Sequence, residues 1–82
     1  MSWTLHIRCK RVGNFRLHVS DSESVSVIKR KIQEEKRIPV EKQTLTFDGL
    51  ILEDSRQLKD YGVKNGSSLF LSLPLDFSKE IN

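Results

Sequence analysis

The side chains with which this 82-residue chain could do covalent or acid–base chemistry are few: one cysteine, two histidines and 11 acidic residues. A cysteine nucleophile needs a histidine within hydrogen-bond reach and a cleft for its substrate. Cys9 alternates in phase with Leu5 and Ile7, while His6 falls on the opposite phase. A strand here sends thiol and imidazole to opposite faces. Cys9 therefore reads as a small buried apolar residue. Glu34 and Glu35 are neighbours on a helical stretch and point in different directions, so they do not serve one site. One Cys and two His cannot complete a common structural zinc set. No glycine-rich phosphate loop occurs, and Asp48-Gly49 reads as a turn. No catalytic residue, metal or cofactor is expected, and the chain reads as a non-enzyme.

Recognition is the chemistry that remains. His6, Arg8, Lys10, Arg16 and His18 share the outward phase of two alternating stretches. They form a basic face that suits an acidic partner segment, or simply a solvated sheet surface. On the helical stretch, Arg30 to Glu34 and Lys31 to Glu35 have the spacing of i,i+4 pairs. The formal net charge is +3 and the pI about 9.2. Nucleic-acid binding through the basic hairpin is thus an alternative class. Against it stand the modest charge, the lack of an RNA-binding motif and the absence of aromatic interleaving along the strands.

The elements that must position these residues follow from periodicity. Trp3, Leu5, Ile7 and Cys9 alternate with polar residues, as do Phe15, Leu17 and Val19. Joined by a short Gly13-containing turn, they predict a hairpin. Ser24, with Ser22 as the alternative, is an N-cap; Val25, Ile28 and Ile32 then recur at helical spacing. Pro39 stops that helix and holds Ile38 extended. A third strand is expected over Thr44 to Asp48, a turn at Asp48-Gly49 and a short fourth strand at Ile51-Leu52. Glu53 to Asn65 reads as loop with one helical turn. The last strand alternates through Leu69, Leu71, Leu73 and Leu75, and Pro74 means that it ends there or lies at an edge of the sheet. A hairpin cannot bury its apolar face alone, so an α+β sheet covered by one helix is the simplest architecture.

The length supports one domain, in which about 60–65% of the unfolded surface is buried. A single cysteine allows no internal disulfide. No apolar run approaches the roughly 18–20 residues of a membrane span, and the start does not read as a signal peptide. A free thiol without a targeting segment points to cytoplasm or nucleus.

The segments "KIQEEKRIPVEKQTLTFDG" and "LEDSRQLKDYGV" resemble ubiquitin in order and spacing. The likeness runs without gaps from Trp3 to about Leu75. It implies the β-grasp fold, a mixed five-stranded sheet packed on one α-helix, over residues 1–75. Residues 76–82 are then a flexible tail or linker start. It also implies that the Tyr61 hydroxyl bonds backbone near Glu53, and that Leu45, Leu52, Leu58, Val63, Leu69 and Leu71 line the core. Family members that are conjugated to other proteins end in Gly-Gly, and the matching positions here hold Phe77 and Ser78. The conjugatable-modifier alternative is therefore disfavoured. What remains is a monomeric, non-conjugated interaction domain of a larger protein. Its implied partners are proteins: a proteasome receptor, a segregase-type ATPase, a chaperone or a neighbouring domain of the same chain. The family's docking patch maps onto Lys10, Thr46, Gly49, Phe70 and Ser72, with Leu50 and Arg8 beside it. Thr46 and Ser72 stand where ubiquitin has apolar residues, so Leu50 and Phe70 are expected to form a shifted apolar spot. His6, Arg16 and His18 make the secondary basic face.

Overall fold

Two of the alternating stretches form the first hairpin. In the computed structural model, which describes residues 1–77, β1 (Ser2–Arg8) pairs antiparallel with β2 (Phe15–Ser20). Leu5 faces Leu17 and Ile7 faces Phe15 across the ladder, so the apolar phase of both strands reaches one side. The hairpin turn is held by the Gly13 N–H on the Cys9 carbonyl and by the Cys9 N–H on Asn14 Oδ1. Residues 78–82, most of the expected tail, lie outside the described residues.

The helix α1 (Val25–Lys36) starts at Ser24, whose hydroxyl accepts the Val27 N–H. It stops at Arg37, which takes a left-handed conformation and donates its N–H to the Gln33 carbonyl. Its buried stripe is Val25, Ile28 and Ile32. A short 3-10 turn at Val40–Lys42, not foreseen from periodicity, leads into β3 (Thr44–Phe47). Asp48 and Gly49 both adopt positive φ, the geometry of a tight two-residue hairpin turn, and β4 (Leu50–Ile51) follows. A second 3-10 turn spans Leu58–Tyr61. The last strand, β5 (Ser68–Ser72), lies in the middle of the sheet, parallel to β1 and antiparallel to β3.

The sheet is five-stranded in the order β2-β1-β5-β3-β4, and its inner face shares one core with α1. The expected α+β arrangement of a mixed sheet on a helix is present. Leu45, Leu52, Leu58, Val63, Leu69 and Leu71 are all buried in it. The Tyr61 hydroxyl accepts the Glu53 N–H at 2.9 Å. Tyr61→Phe leaves that N–H without its partner and is expected to cost about 1–2 kcal/mol in a urea titration.

Several boundaries differ from the expected ones. β3 stops at Phe47 because Asp48 already turns. β4 begins at Leu50 rather than Ile51, and Leu52 follows it as a buried residue whose N–H reaches the Leu45 carbonyl. β5 ends at Ser72, so Leu73 and Leu75 are outside the strand; Pro74 has no N–H to extend the ladder. Among the described residues the expected Arg30–Glu34 and Lys31–Glu35 pairs do not form. Lys31 instead reaches Glu23 at 3.0 Å, and Lys29 reaches Asp54 at 2.8 Å, tying the helix to the segments beside it.

Gln43 is a buried polar residue without a signal of its own in the apolar periodicity. Its amide nitrogen donates to the carbonyls of Lys29 at 2.9 Å and Ile38 at 3.0 Å. It thereby fastens the loop after α1 to the helix itself.

Candidate docking face

Residues paired in register across a sheet point to the same side. Arg8 on β1 is paired with Phe70 on β5, Phe70 with Thr46 on β3, and Thr46 with Ile51 on β4. The register thus lays one transverse row, Arg8–Phe70–Thr46–Ile51, across four strands. Their sequence neighbours Ile7, Leu45, Leu69, Leu71 and Leu52 belong to the core shared with the helix. The row therefore lies on the outer face. Phe70 is 55% exposed and Ile51 is 65% exposed. Thr46 sits between them and is partly covered. Two large apolar side chains held in water on rigid strands, with a small polar residue between, are not explained by the needs of the core.

The other expected residues fall around this row. Ser72 is paired with Thr44 one step along β5 and is exposed. Gly49 is exposed in the β3–β4 turn. Lys10 lies just past the end of β1 and is exposed. On the other side of the row, His6 is paired with both Arg16 and Ser68, and Thr4 with His18. The Thr4 hydroxyl and His18 Nδ1 are 3.1 Å apart. Arg8, His6, Arg16 and His18 therefore share the outer face with Phe70, as alternation indicated.

Leu50 is placed differently. It is paired with Phe47, not with Thr46, and so belongs to the opposite phase of the β3–β4 hairpin. It remains 53% exposed at the sheet edge. The apolar neighbour that shares a face with Phe70 is Ile51. A signal for this was in the sequence. A two-residue turn at Asp48-Gly49 pairs Phe47 with Leu50 and Thr46 with Ile51, and parity does the rest.

Charge divides the outer face. None of the five strands contains an acidic residue. The β2–β1 side carries His6, Arg8 and Arg16, and the β5–β3–β4 side carries Phe70 and Ile51. Cys9 is buried on the core side, with the sheet between it and the exposed imidazoles of His6 and His18. Among the described residues no group of three or more His, Cys, Asp or Glu is placed to hold a metal ion. No helix among them is long and apolar enough to cross a membrane.

Comparison with known proteins agrees with this architecture. The ubiquitin family profile matches residues 5–76. Ubiquitin-like protein 4A of Rhinolophus ferrumequinum is 40% identical over 55 residues, 67% of this chain and 34% of that protein. Ubiquitin D of Rattus norvegicus is 39% identical over 56 residues, 68% of this chain and 35% of the relative. Splicing factor 3A subunit 1 of Homo sapiens is 40% identical over 52 residues, 63% of this chain but 7% of the relative. The matched stretch thus spans about a third or less of the length of these relatives.

Proposed function

This chain belongs to the ubiquitin family, and we propose that it works as a non-catalytic, non-conjugated docking domain of a larger protein. Its partners are proteins of the ubiquitin–proteasome or chaperone type: a proteasome receptor, a segregase ATPase, a chaperone, or a neighbouring domain of the same chain. They are engaged by the outer sheet face, with Phe70 as anchor, Ile51 and Thr46 beside it, Arg8, Lys10, Gly49 and Ser72 around them, and Leu50 at the edge. The observation that carries this reading is the Arg8–Phe70–Thr46–Ile51 row. An exposed aromatic with an aliphatic neighbour on a rigid scaffold has the composition of an interaction hot spot. The relatives also carry the matched stretch within longer proteins. Docking takes place in the cytoplasm or nucleus, where an unpaired Cys9 stays reduced, and the domain acts as a monomer.

Two features argue against use as a modifier. Phe77 and Ser78 occupy the positions where a conjugated member has glycines, and Phe77 packs against the core. Incubation with activating enzyme and ATP is expected to give no thioester; a thioester-linked adduct would refute this part of the reading. Docking itself is tested by titrating the labelled domain with a proteasomal receptor domain and with a ubiquitin-binding helix. The resonances of Arg8, Thr46, Ile51 and Phe70 are expected to move first.

A further inference from the structure

The sheet has two edges, β2 and β4, and they differ in what they offer a further strand. β4 is two residues long, while β2 has six residues and no proline. A strand of that length presents a row of unpaired N–H and C=O groups to any chain that can lie beside it. Which residues these are follows from the ladder. Thr4 donates its N–H to Asn65 Oδ1 and accepts the Gly66 N–H, and the His6 N–H reaches the Ser67 carbonyl. Both residues turn their backbone away from β2. Pairs alternate along an antiparallel ladder, so their partners His18 and Arg16 turn theirs away from β1, to the free edge.

Part of that edge is closed by side chains. Lys31 Nζ on α1 donates to the His18 carbonyl at 3.3 Å. Glu23 Oε1 accepts the Ser20 N–H at 3.1 Å, and its other carboxylate oxygen holds Lys31 Nζ at 3.0 Å. The two side chains form one clip, tied at both ends to the backbone of β2. At the start of the strand, Lys36 Nζ lies 4.6 Å from the centre of the Phe15 ring. The Arg16 N–H and C=O and the His18 N–H have no partner among the described residues.

We propose that the β2 edge is a self-association surface held shut by the Lys31–Glu23 clip, and that the strand it fits is β2 of a second copy of this chain. Laid antiparallel with Leu17 against Leu17 of the copy, β2 sets Arg16 opposite His18 and His18 opposite Arg16. Both residues belong to the outward phase, so each such pair can exchange both backbone bonds. The register also places each guanidinium beside an imidazole and keeps the two guanidiniums from lying directly opposite. The carbonyl that His18 must offer in this pairing is the one that Lys31 fills. Opening the edge requires Lys31 to leave it, and the tie to Glu23 opposes that. Both side chains of the clip are partly exposed, so a change at either one reaches the edge without disturbing the core. The inference goes beyond the docking reading and does not depend on it, because β1 lies between this edge and the strand of Phe70.

The test is sedimentation velocity on the 82-residue chain over a concentration series. The wild-type chain is expected to sediment as a monomer. Lys31→Met removes the ammonium and keeps most of the aliphatic stem, and should tighten self-association at least about tenfold. Glu23→Gln keeps an acceptor for the Ser20 N–H but frees Lys31, and should act in the same direction more weakly. Lys42→Met removes a charge from the turn before β3, on the far side of the sheet, and should leave the monomer unchanged. Adding His18→Pro to Lys31→Met deletes an edge N–H that the monomer's own ladder does not use, and should restore the monomer. Amide exchange supplies the local readout. In Lys31→Met the Arg16 and His18 amides should gain protection as the protein concentration rises, while melting of dilute samples stays near that of the wild type. Unchanged sedimentation of both Lys31→Met and Glu23→Gln, a wild-type or Lys42→Met chain that associates as tightly as Lys31→Met, or association that survives His18→Pro would each overturn the edge assignment. Association that protects Phe70 instead of Arg16 and His18 would overturn it as well.

Discussion

Ile32→Ala is expected to lower the free energy of unfolding by about 2–5 kcal/mol. Ile32 is fully buried as the last residue of the apolar stripe of α1, in the cluster that joins the helix to all the long strands. A domain of this size has a total stability of roughly 4–12 kcal/mol. It has a single cysteine, hence no internal disulfide, to add to that. One truncation therefore removes a large share of the whole, and the melting temperature should fall by about 10–30 °C. The graded control is Ile32→Val, which removes one methyl group and should cost about 0.5–1.5 kcal/mol. Urea titrations of both variants check the pair of values. A loss below about 1 kcal/mol for the alanine variant would mean that the helix is not seated on the sheet as described.

Phe70→Ala is expected to weaken partner docking by about 2 kcal/mol or more, roughly a 30-fold loss. The stability cost should stay within about 1 kcal/mol, because the ring projects from the outer face and only its strand propensity and cross-strand contacts are lost. Phe70 is singled out by position as well as type. It lies on the central strand, paired on one side with Arg8 and on the other with Thr46, so a partner centred on the face must cover it. Leu50→Ala provides the contrast, since Leu50 belongs to the opposite phase at the sheet edge. Its effect on docking should be a few-fold at most. Isothermal titration of the two variants against the same receptor domain gives the comparison, and equal losses would place the contact on the β3–β4 edge instead of the row.

Much of the fold was legible because local rules and burial agree in this chain. Alternation located β1 and β2 and assigned Leu5, Ile7, Leu17 and Val19 to the core side. Ser24 followed by Val25, Ile28 and Ile32 located the helix start and its buried stripe, and Pro39 fixed what had to follow it. The larger failures depend on partners outside the local element. Apolar alternation through Leu73 and Leu75 looked like strand, but the ladder on β5 is limited by the reach of β1 and β3 and by Pro74. The helix charges had good intrahelical spacing, yet Lys31 and Lys29 found Glu23 and Asp54, which the folded chain brings beside them. Gln43 shares the inward phase of Leu45, a hint that it is buried, but its two acceptors on Lys29 and Ile38 appear only in three dimensions.

The outer face was partly legible for the same reason. The basic residues of the first hairpin follow from alternation within one local pair of strands. The two-residue turn at Asp48-Gly49 already puts Ile51 rather than Leu50 beside Thr46, but bringing Phe70 next to them requires the register of β3 against β5. The closed edge of β2 was not visible at all in the sequence. It depends on Lys31 of the helix meeting Glu23 and the His18 carbonyl.

The central claim is that partners dock on the outer sheet face around Phe70. Its most direct test is chemical-shift mapping of the isotopically labelled domain during titration with a proteasomal receptor domain. The account predicts that the largest perturbations fall on the amides of Arg8, Thr46, Ile51 and Phe70, spreading to Lys10, Gly49 and Ser72. Perturbations confined to α1, from Val25 to Lys36, with that row unmoved, would contradict it.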